Sequence, residues 1–150
     1  MQIDAEVVRR MRARYAVDLP LVDGAVAAVR RLAASFRLGL ASSSNRELID
    51  SVLAAADLTA LFDATVSSEE VARGKPAPDV FIEAARRLEV STESCAAIED
   101  SGNGIRSARA AGMRVIAIPN AHYPPPADAL ALAHVVIESL DRLTIDVITG

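Results

Sequence analysis

Two adjacent carboxylates, Glu99 and Asp100, follow a short run of apolar and small residues and precede a turn that contains glycines. The run, residues 95–98, is typical of a parallel strand that is buried on both faces. The carboxylates therefore lie at the carboxyl end of a strand, where open α/β sheets bind ligands. Neighbouring carboxylates repel unless a cation lies between them, and Mg²⁺ prefers oxygen ligands. The pattern indicates either a metal or phosphate site or a solvated acidic turn, in which Asp100 or Ser101 caps the next helix.

Three consecutive serines, Ser42, Ser43 and Ser44, follow another short apolar strand at residues 37–41. Apolar residues at helical spacing come directly after them. Hydroxyls at the start of a helix can bind an anion, because side-chain donors and unpaired backbone N–H groups converge there. The alternative is that the serines and Asn45 only cap the helix.

Lys75 is the only lysine among 16 basic residues, the other 15 being arginine. Two prolines close behind it stiffen the backbone and fix the direction of its side chain. A lysine ammonium is a compact charge that suits a phosphoryl oxygen, whereas arginine favours two-point contacts. A surface position is the alternative, but the use of arginine everywhere else favours a specific role for Lys75.

Composition limits the class of protein and its partners. A chain of 150 residues with 51% apolar and 24% charged residues is one globular domain. Its net charge of −4 gives no general attraction to nucleic acid or to anionic membranes. One cysteine cannot form an internal disulfide, and the sequence has no apolar run long enough to span a membrane. We expect a cytoplasmic protein with neither nucleic acid nor membrane as a partner.

Short apolar runs alternate with helical patterns along the chain. Strands are expected at residues 37–41, 62–66, 95–98, 114–118 and 134–137. Helices are expected at residues 25–34 and 141–148, after the serines, after the two prolines and after the glycine turn. The acidic stretch at residues 67–70 is expected to be solvated surface. This order predicts an α/β fold, a doubly wound parallel sheet of about five strands.

The serines, the lysine and the carboxylates all fall at or just beyond the carboxyl ends of predicted strands. Together they supply hydrogen-bond donors, a positive charge and ligands for a metal. These groups position and neutralise a phosphoryl group during its transfer.

At these residues the sequence resembles the haloacid dehalogenase (HAD) superfamily of phosphohydrolases, in the branch that contains β-phosphoglucomutase and phosphoglycolate phosphatase. Residues 38–44, 74–79 and 98–105 are similar to the second, third and fourth motifs of that family, in the family's order. The resemblance implies a Rossmannoid sheet and Mg²⁺-dependent hydrolysis of a small phosphorylated metabolite through an aspartyl phosphate.

The resemblance also assigns roles to the candidate residues. Ser42 would bind the transferring phosphate, with Ser43 and Ser44 close by. Lys75 would hold the phosphate and the nucleophile together, so Ser42 and Lys75 are the catalytic candidates. The metal-binding candidates are Glu99 and Asp100, which would hold Mg²⁺.

The chain departs from the family at its first motif, a strand followed by D-x-D-G that carries the Asp nucleophile and the Asp acid/base. Asp4 and Glu6 have the required spacing, but only three residues precede them and no glycine turn follows. Residues 1–18 resemble the last helix of the family's cap, and residues 19–150 resemble the core domain without its first strand. In the family that strand lies between the strands predicted at 37–41 and 95–98. We therefore expect these two strands to pair directly or to recruit a strand from a second copy, giving a homodimer or an aggregation-prone monomer.

Several functions remain open. The first is a Mg²⁺-dependent phosphatase whose 150-residue chain is inactive alone because it lacks the nucleophile. The alternatives are a phosphomutase of the β-phosphoglucomutase type, a catalytically silent module that binds phosphate or Mg²⁺, and a subunit that another chain completes.

Overall fold

The computed structural model of the chain describes the backbone of residues 2–4, and residues 25–119 and 122–150. Six strands in this part of the chain form one sheet, with every neighbouring pair parallel. They are Gln2–Asp4 (β1), Gly39–Ser42 (β2), Ala64–Ser67 (β3), Ala96–Glu99 (β4), Arg114–Ala117 (β5) and Val135–Val136 (β6). The α-helices are Ala25–Ala33 (α1), Arg46–Ala55 (α2), Asp79–Leu88 (α3), Gly102–Ala110 (α4), Ala127–Leu130 (α5) and Ile145–Thr149 (α6). The predicted α/β fold with a parallel sheet is confirmed.

Helices cover both faces of the sheet because side chains alternate along each strand. Leu40 and Ile98 belong to one buried apolar cluster, which includes residues of α1, α2 and α6. Their neighbours Ala41 and Ala97 belong to a second cluster, with residues of α3 and α4. Burial on both faces explains why these strands are continuous apolar runs in the sequence.

The centre of the sheet differs from the prediction. β1 lies between β2 and β4, with Ile3 opposite Leu40 on one side and Ile98 on the other. The expectations that the first strand is absent and that β2 and β4 pair directly are therefore wrong. A strand of three residues is long enough to occupy the centre of the sheet because both β2 and β4 pair with it in parallel. A homodimer has no gap to fill in this sheet, and its formation stays a prediction.

Most of the predicted cap remnant, residues 1–18, lies outside the described residues. So do residues 5–24 as a whole, which include Glu6. Among the helices that are described, none is long and apolar enough to cross a membrane.

The strand order is β3-β2-β1-β4-β5-β6, so the order reverses between β1 and β4. Loops on the two sides of such a reversal diverge and leave a crevice at the carboxyl ends of the strands, where ligands bind. β2 ends at Ser42, β1 ends at Asp4 and β4 ends at Glu99. The topology thus brings candidate residues from separate segments of the chain to one edge of the sheet.

Candidate phosphate and cation site

Lys75 is a buried lysine at the centre of this edge. Its side chain is 4% exposed, and its Nζ donates hydrogen bonds to Glu99 Oε1 at 2.7 Å and to the Ala41 carbonyl at 3.2 Å. The ammonium also lies 5.0 Å from the centre of the Phe81 ring, within range of a cation–π interaction. The alternative of a surface lysine is therefore wrong.

The contacts of Lys75 place its ammonium across the end of the central strand. Ala41 belongs to β2 and Glu99 to β4, and these strands flank β1 on its two sides. The backbone of Asp4, the last residue of β1, is in register with Ala41. The ammonium consequently lies where the carboxyl ends of β2, β1 and β4 meet.

Glu99 and Asp100 are both buried, being 0% and 3% exposed. The alternative of a solvated acidic turn is therefore wrong. The predicted capping of the next helix is confirmed for Ser101, whose Oγ accepts the Gly104 N–H at 3.1 Å and caps α4. A buried carboxylate requires a compensating charge, which Lys75 supplies to Glu99.

The carboxylates of Glu99 and Asp100 provide hard oxygen atoms of the kind that Mg²⁺ binds, so their chemistry fits this ion. Among the described side chains, however, no group of three or more His, Cys, Asp or Glu residues could hold a metal ion. Mg²⁺ prefers six oxygen ligands and keeps several waters. These two carboxylates therefore form an incomplete set that water, phosphate or further protein oxygens would have to supplement.

Gly104 makes room for the Glu99 carboxylate. A Cβ atom at this position would lie 2.2 Å from Cδ and Oε1 of Glu99 and 2.3 Å from Oε2. The first turn of α4 thus packs directly against the carboxylate, and its free N–H groups place partial positive charge near that anion. The requirement for glycine comes from this close approach, which the sequence alone does not indicate.

The serines of the loop after β2 have different surroundings. Ser42 and Ser44 are buried, and Ser43 is exposed. Ser42 Oγ accepts the Ser44 N–H at 3.0 Å and, as a hydroxyl, still has its own hydrogen to donate. The N-cap of α2 is Asn45, whose Oδ1 accepts the Leu48 N–H at 2.7 Å. The capping alternative therefore applies to Asn45, and binding of phosphate by Ser42, Ser43 and Ser44 stays a prediction.

The end of β3 and the turn after it hold the loop of Ser42, Ser43 and Ser44 (the serine loop) in place. Ser67 Oγ donates to the Ser44 carbonyl at 2.7 Å, and Ser68 Oγ donates to the Ser43 carbonyl at 3.1 Å. Ser67 is fully buried, so the expectation of solvated surface at residues 67–70 is wrong for it. Sequence reasoning missed this role because the partners are backbone carbonyls more than 20 residues away.

Glu70, in the same turn, connects the loop to two helices. It accepts hydrogen bonds from the Ser67 N–H at 2.9 Å, from Arg87 of α3 at 2.9 Å and from Arg46 of α2. Burial alone would raise the pKa of Glu70, but these three donors outweigh it and lower the pKa to about 2. Glu70 is therefore ionised throughout the physiological pH range.

We expect this carboxylate to make the fold sensitive to acid. The pKa of Glu70 is lowered from 4.5 to about 2 in the folded chain, so its contribution to stability is present above pH 4.5 and is lost as the pH falls toward 2. Urea unfolding between pH 7 and pH 2 should show a steeper loss for the wild type than for Glu70→Gln, which cannot titrate. Equal pH dependence in the two proteins would contradict the assignment.

Comparison with known proteins identifies the family. The family model described as haloacid dehalogenase-like hydrolase matches residues 2–112. The chain therefore belongs to the haloacid dehalogenase-like hydrolase family.

Three relatives illustrate the match. Hexitol phosphatase B of Escherichia coli strain K12 is 39% identical over 147 residues, which cover 93% of this chain and 64% of that protein. The crystal structure of CbbY from Rhodobacter sphaeroides in complex with phosphate has a TM-score of 0.74 and 26% identity, covering 95% of this chain and 65% of that one. A β-phosphoglucomutase from Clostridium difficile shares the fold, with a TM-score of 0.71 and 24% identity over 84% of this chain and 53% of that one.

The predicted superfamily is confirmed by the family model and by hexitol phosphatase B. The predicted branch is confirmed by solved structures of the CbbY and β-phosphoglucomutase type that are 26% and 27% identical to this chain. The chain spans less than two thirds of the length of these three relatives. Their activities are therefore taken up only as proposals.

Proposed function

We propose that the chain carries the phosphate- and Mg²⁺-binding site of a phosphatase that acts on a small phosphorylated metabolite. The observation that carries the proposal is the position of the Lys75 ammonium, buried across the end of β1 and bonded to Ala41 and Glu99. A phosphoryl group at this point would meet a positive charge and the hydroxyl of Ser42, which follows Ala41. Membership of a hydrolase family and similarity to a hexitol phosphatase support the same class of substrate.

Mg²⁺ would be held by the buried carboxylates and would neutralise charge on the phosphoryl oxygens when bound. The residues of this chain would do the rest. Lys75 would bind a phosphoryl oxygen, and Ser42 would donate a hydrogen bond to another. If Glu99 and Asp100 are the only protein ligands, we expect the chain to bind Mg²⁺ only at roughly millimolar concentration.

Hydrolysis in this family requires a carboxylate nucleophile, which attacks phosphorus in line with the leaving oxygen. Asp4 ends the central strand and Glu6 follows it at the spacing of the family's second acid, but glutamate replaces aspartate there and Val7 stands where the family has its glycine turn. We therefore propose that the 150-residue chain binds phosphate without turning over a phosphoester. Location in the cytoplasm stays a prediction.

The test combines binding with turnover. NMR titration of the ¹⁵N-labelled chain with inorganic phosphate and Mg²⁺ should shift the amide signals of the serine loop, while p-nitrophenyl phosphate should not be hydrolysed. The absence of any phosphate response would overturn the proposed site. Turnover that disappears in Asp4→Asn would show that Asp4 is the nucleophile and that the chain is active alone.

The other hypotheses predict different results. Binding of phosphate without turnover fits both a silent module and a subunit completed by another chain. Light scattering combined with the turnover assay separates these two. Only a subunit that another chain completes should gain mass and turnover together when it associates with that chain. A phosphomutase would transfer the phosphoryl group to a second hydroxyl of its substrate instead of to water.

A further inference from the structure

Two hydroxyls from the neighbouring segment of the chain hold the backbone of the serine loop. Ser67, at the end of β3, donates to the Ser44 carbonyl at 2.7 Å, and Ser68, in the turn after it, donates to the Ser43 carbonyl at 3.1 Å. Ser67 is 0% exposed and lies opposite Ser42 in the β2–β3 register. Loss of a buried hydrogen bond leaves its acceptor without a partner, because water cannot enter to replace the donor. The contact made by Ser67 is therefore a fixed part of this site, whereas water could replace the hydroxyl of the partly exposed Ser68.

These contacts act on the peptide units of the loop. The Ser43 carbonyl and the Ser44 N–H belong to one peptide unit, which is planar and trans, so they point in opposite directions. Ser68 bonds one end of this unit, and the other end donates to Ser42 Oγ at 3.0 Å. Ser67 bonds the next peptide unit, through the Ser44 carbonyl. Displacement of Ser44 from Ser42 would thus break a buried hydrogen bond to the end of β3.

The direction of the Ser42 hydroxyl follows from this arrangement. Its oxygen accepts the Ser44 N–H, so its own hydrogen must point away from that donor and toward another acceptor. Ser42 follows Ala41, whose carbonyl binds the Lys75 ammonium. The hydrogen is therefore available to a phosphoryl oxygen beside the ammonium as long as the Ser44 N–H keeps its place.

We propose that Ser67 is a positioning residue of the phosphate site. Its hydroxyl holds the Ser44 carbonyl, which keeps the Ser44 N–H on Ser42 Oγ and the Ser42 hydrogen directed at the phosphate. Ser67 acts through the loop and does not itself touch the phosphate. This role rests on the proposed function, in which Ser42 donates a hydrogen bond to a phosphoryl oxygen.

A double-mutant cycle separates positioning of Ser42 from general loosening of the loop. The affinity for inorganic phosphate is measured by NMR titration of the wild type, Ser67→Ala, Ser42→Ala and the double variant. With Ser42 present, Ser67→Ala should weaken phosphate binding by about fivefold or more, whereas in the Ser42→Ala background it should weaken binding by less than about twofold. Unchanged affinity in Ser67→Ala, or an equal loss in the two backgrounds, would overturn the positioning role.

Thr149→Val is the control for loss of a hydroxyl. Thr149 Oγ1 donates to the Ile145 carbonyl at 3.0 Å, so this change also removes a hydrogen bond from a hydroxyl to the backbone. It does so in α6, which contributes no candidate residue to the site. We expect its phosphate affinity to equal that of the wild type.

Ser67→Thr and Ser67→Val form a second pair, for the case in which Ser67→Ala does not fold or Ser42→Ala binds phosphate too weakly to be measured. The two side chains have nearly the same shape, but only threonine carries a hydroxyl. The threonine variant should bind phosphate about fivefold or more tightly than the valine variant. Equal affinities in the two folded variants would overturn the role of Ser67 and leave the proposed function intact. If the wild type gives no response to phosphate, the proposed function itself fails.

Discussion

Replacement of Lys75 by methionine is expected to lower the free energy of unfolding by about 3–5 kcal/mol, the usual cost of leaving one partner of a buried ion pair uncompensated. Glu99 is 0% exposed, and its Oε1 is the atom that Lys75 contacts. Methionine retains an unbranched side chain of similar length, so the loss comes mainly from the missing charge. Urea unfolding at pH 7 measures the difference.

The double variant Lys75→Met/Glu99→Gln separates charge from packing. With both charges removed, it should recover more than half of the stability lost in the single variant. Arg86→Met is the control, because Arg86 pairs with Glu83 but is 70% exposed. That change should cost clearly less stability than Lys75→Met, because exposed ion pairs contribute little. A single Lys75 variant as stable as this control, or a double variant no more stable than the single one, would contradict the buried pair.

Gly104→Ala is expected to destabilise the chain by about 1–3 kcal/mol, as overpacking of a dense site does. Alanine normally stabilises a helix relative to glycine by roughly 1 kcal/mol, so the expected sign is the reverse of the usual one. The reason is the overlap of the new Cβ with the Glu99 carboxylate at 2.2–2.3 Å. Relief of that overlap would move Glu99 away from Lys75. The ¹H–¹⁵N NMR signal of the Lys75 ammonium should therefore change as well.

Gly74→Ala is the matched control. Among the described residues, a Cβ at Gly74 would meet only Ser68 Cβ at 3.7 Å, an ordinary contact. We expect a change within about 0.5 kcal/mol. If Gly104→Ala were as stable as the wild type in the same urea series, the first turn of α4 would not be packed on Glu99 as described.

The strands that could be predicted from the sequence are those whose residue patterns are local. The apolar runs that became β2, β4 and β5 are buried on both faces, and such runs can be recognised without knowledge of their partners. The placement of Lys75, Glu99 and Asp100 at one edge follows from the parallel order of the strands. The central strand was missed because Gln2–Asp4 is too short to show any periodicity, and its pairing on both sides is a property of the whole sheet.

The details of the site depend on contacts between distant segments. The Ala41 carbonyl bonds Lys75 across 34 residues, and no side-chain pattern reports a backbone acceptor. Ser67, at the end of β3, and Ser68, in the turn after it, were assigned to solvent because a run of polar residues is usually exposed. Ser67 instead occupies the position beside Ser42 in the β2–β3 register, which directs its hydroxyl to the serine loop.

An NMR titration with inorganic phosphate, carried out on the wild type and on Lys75→Arg, tests whether the Lys75 ammonium binds the phosphoryl group. The pocket formed by Ala41, Glu99 and the Phe81 ring holds one compact ammonium, and a planar guanidinium cannot take the same position. We expect phosphate affinity to fall by at least about tenfold, or about 1.4 kcal/mol. Arg73→Lys, the reverse exchange at a residue that is 71% exposed, should leave the affinity unchanged. Equal phosphate affinity in the wild type and Lys75→Arg would contradict the claim that this ammonium binds the phosphoryl group.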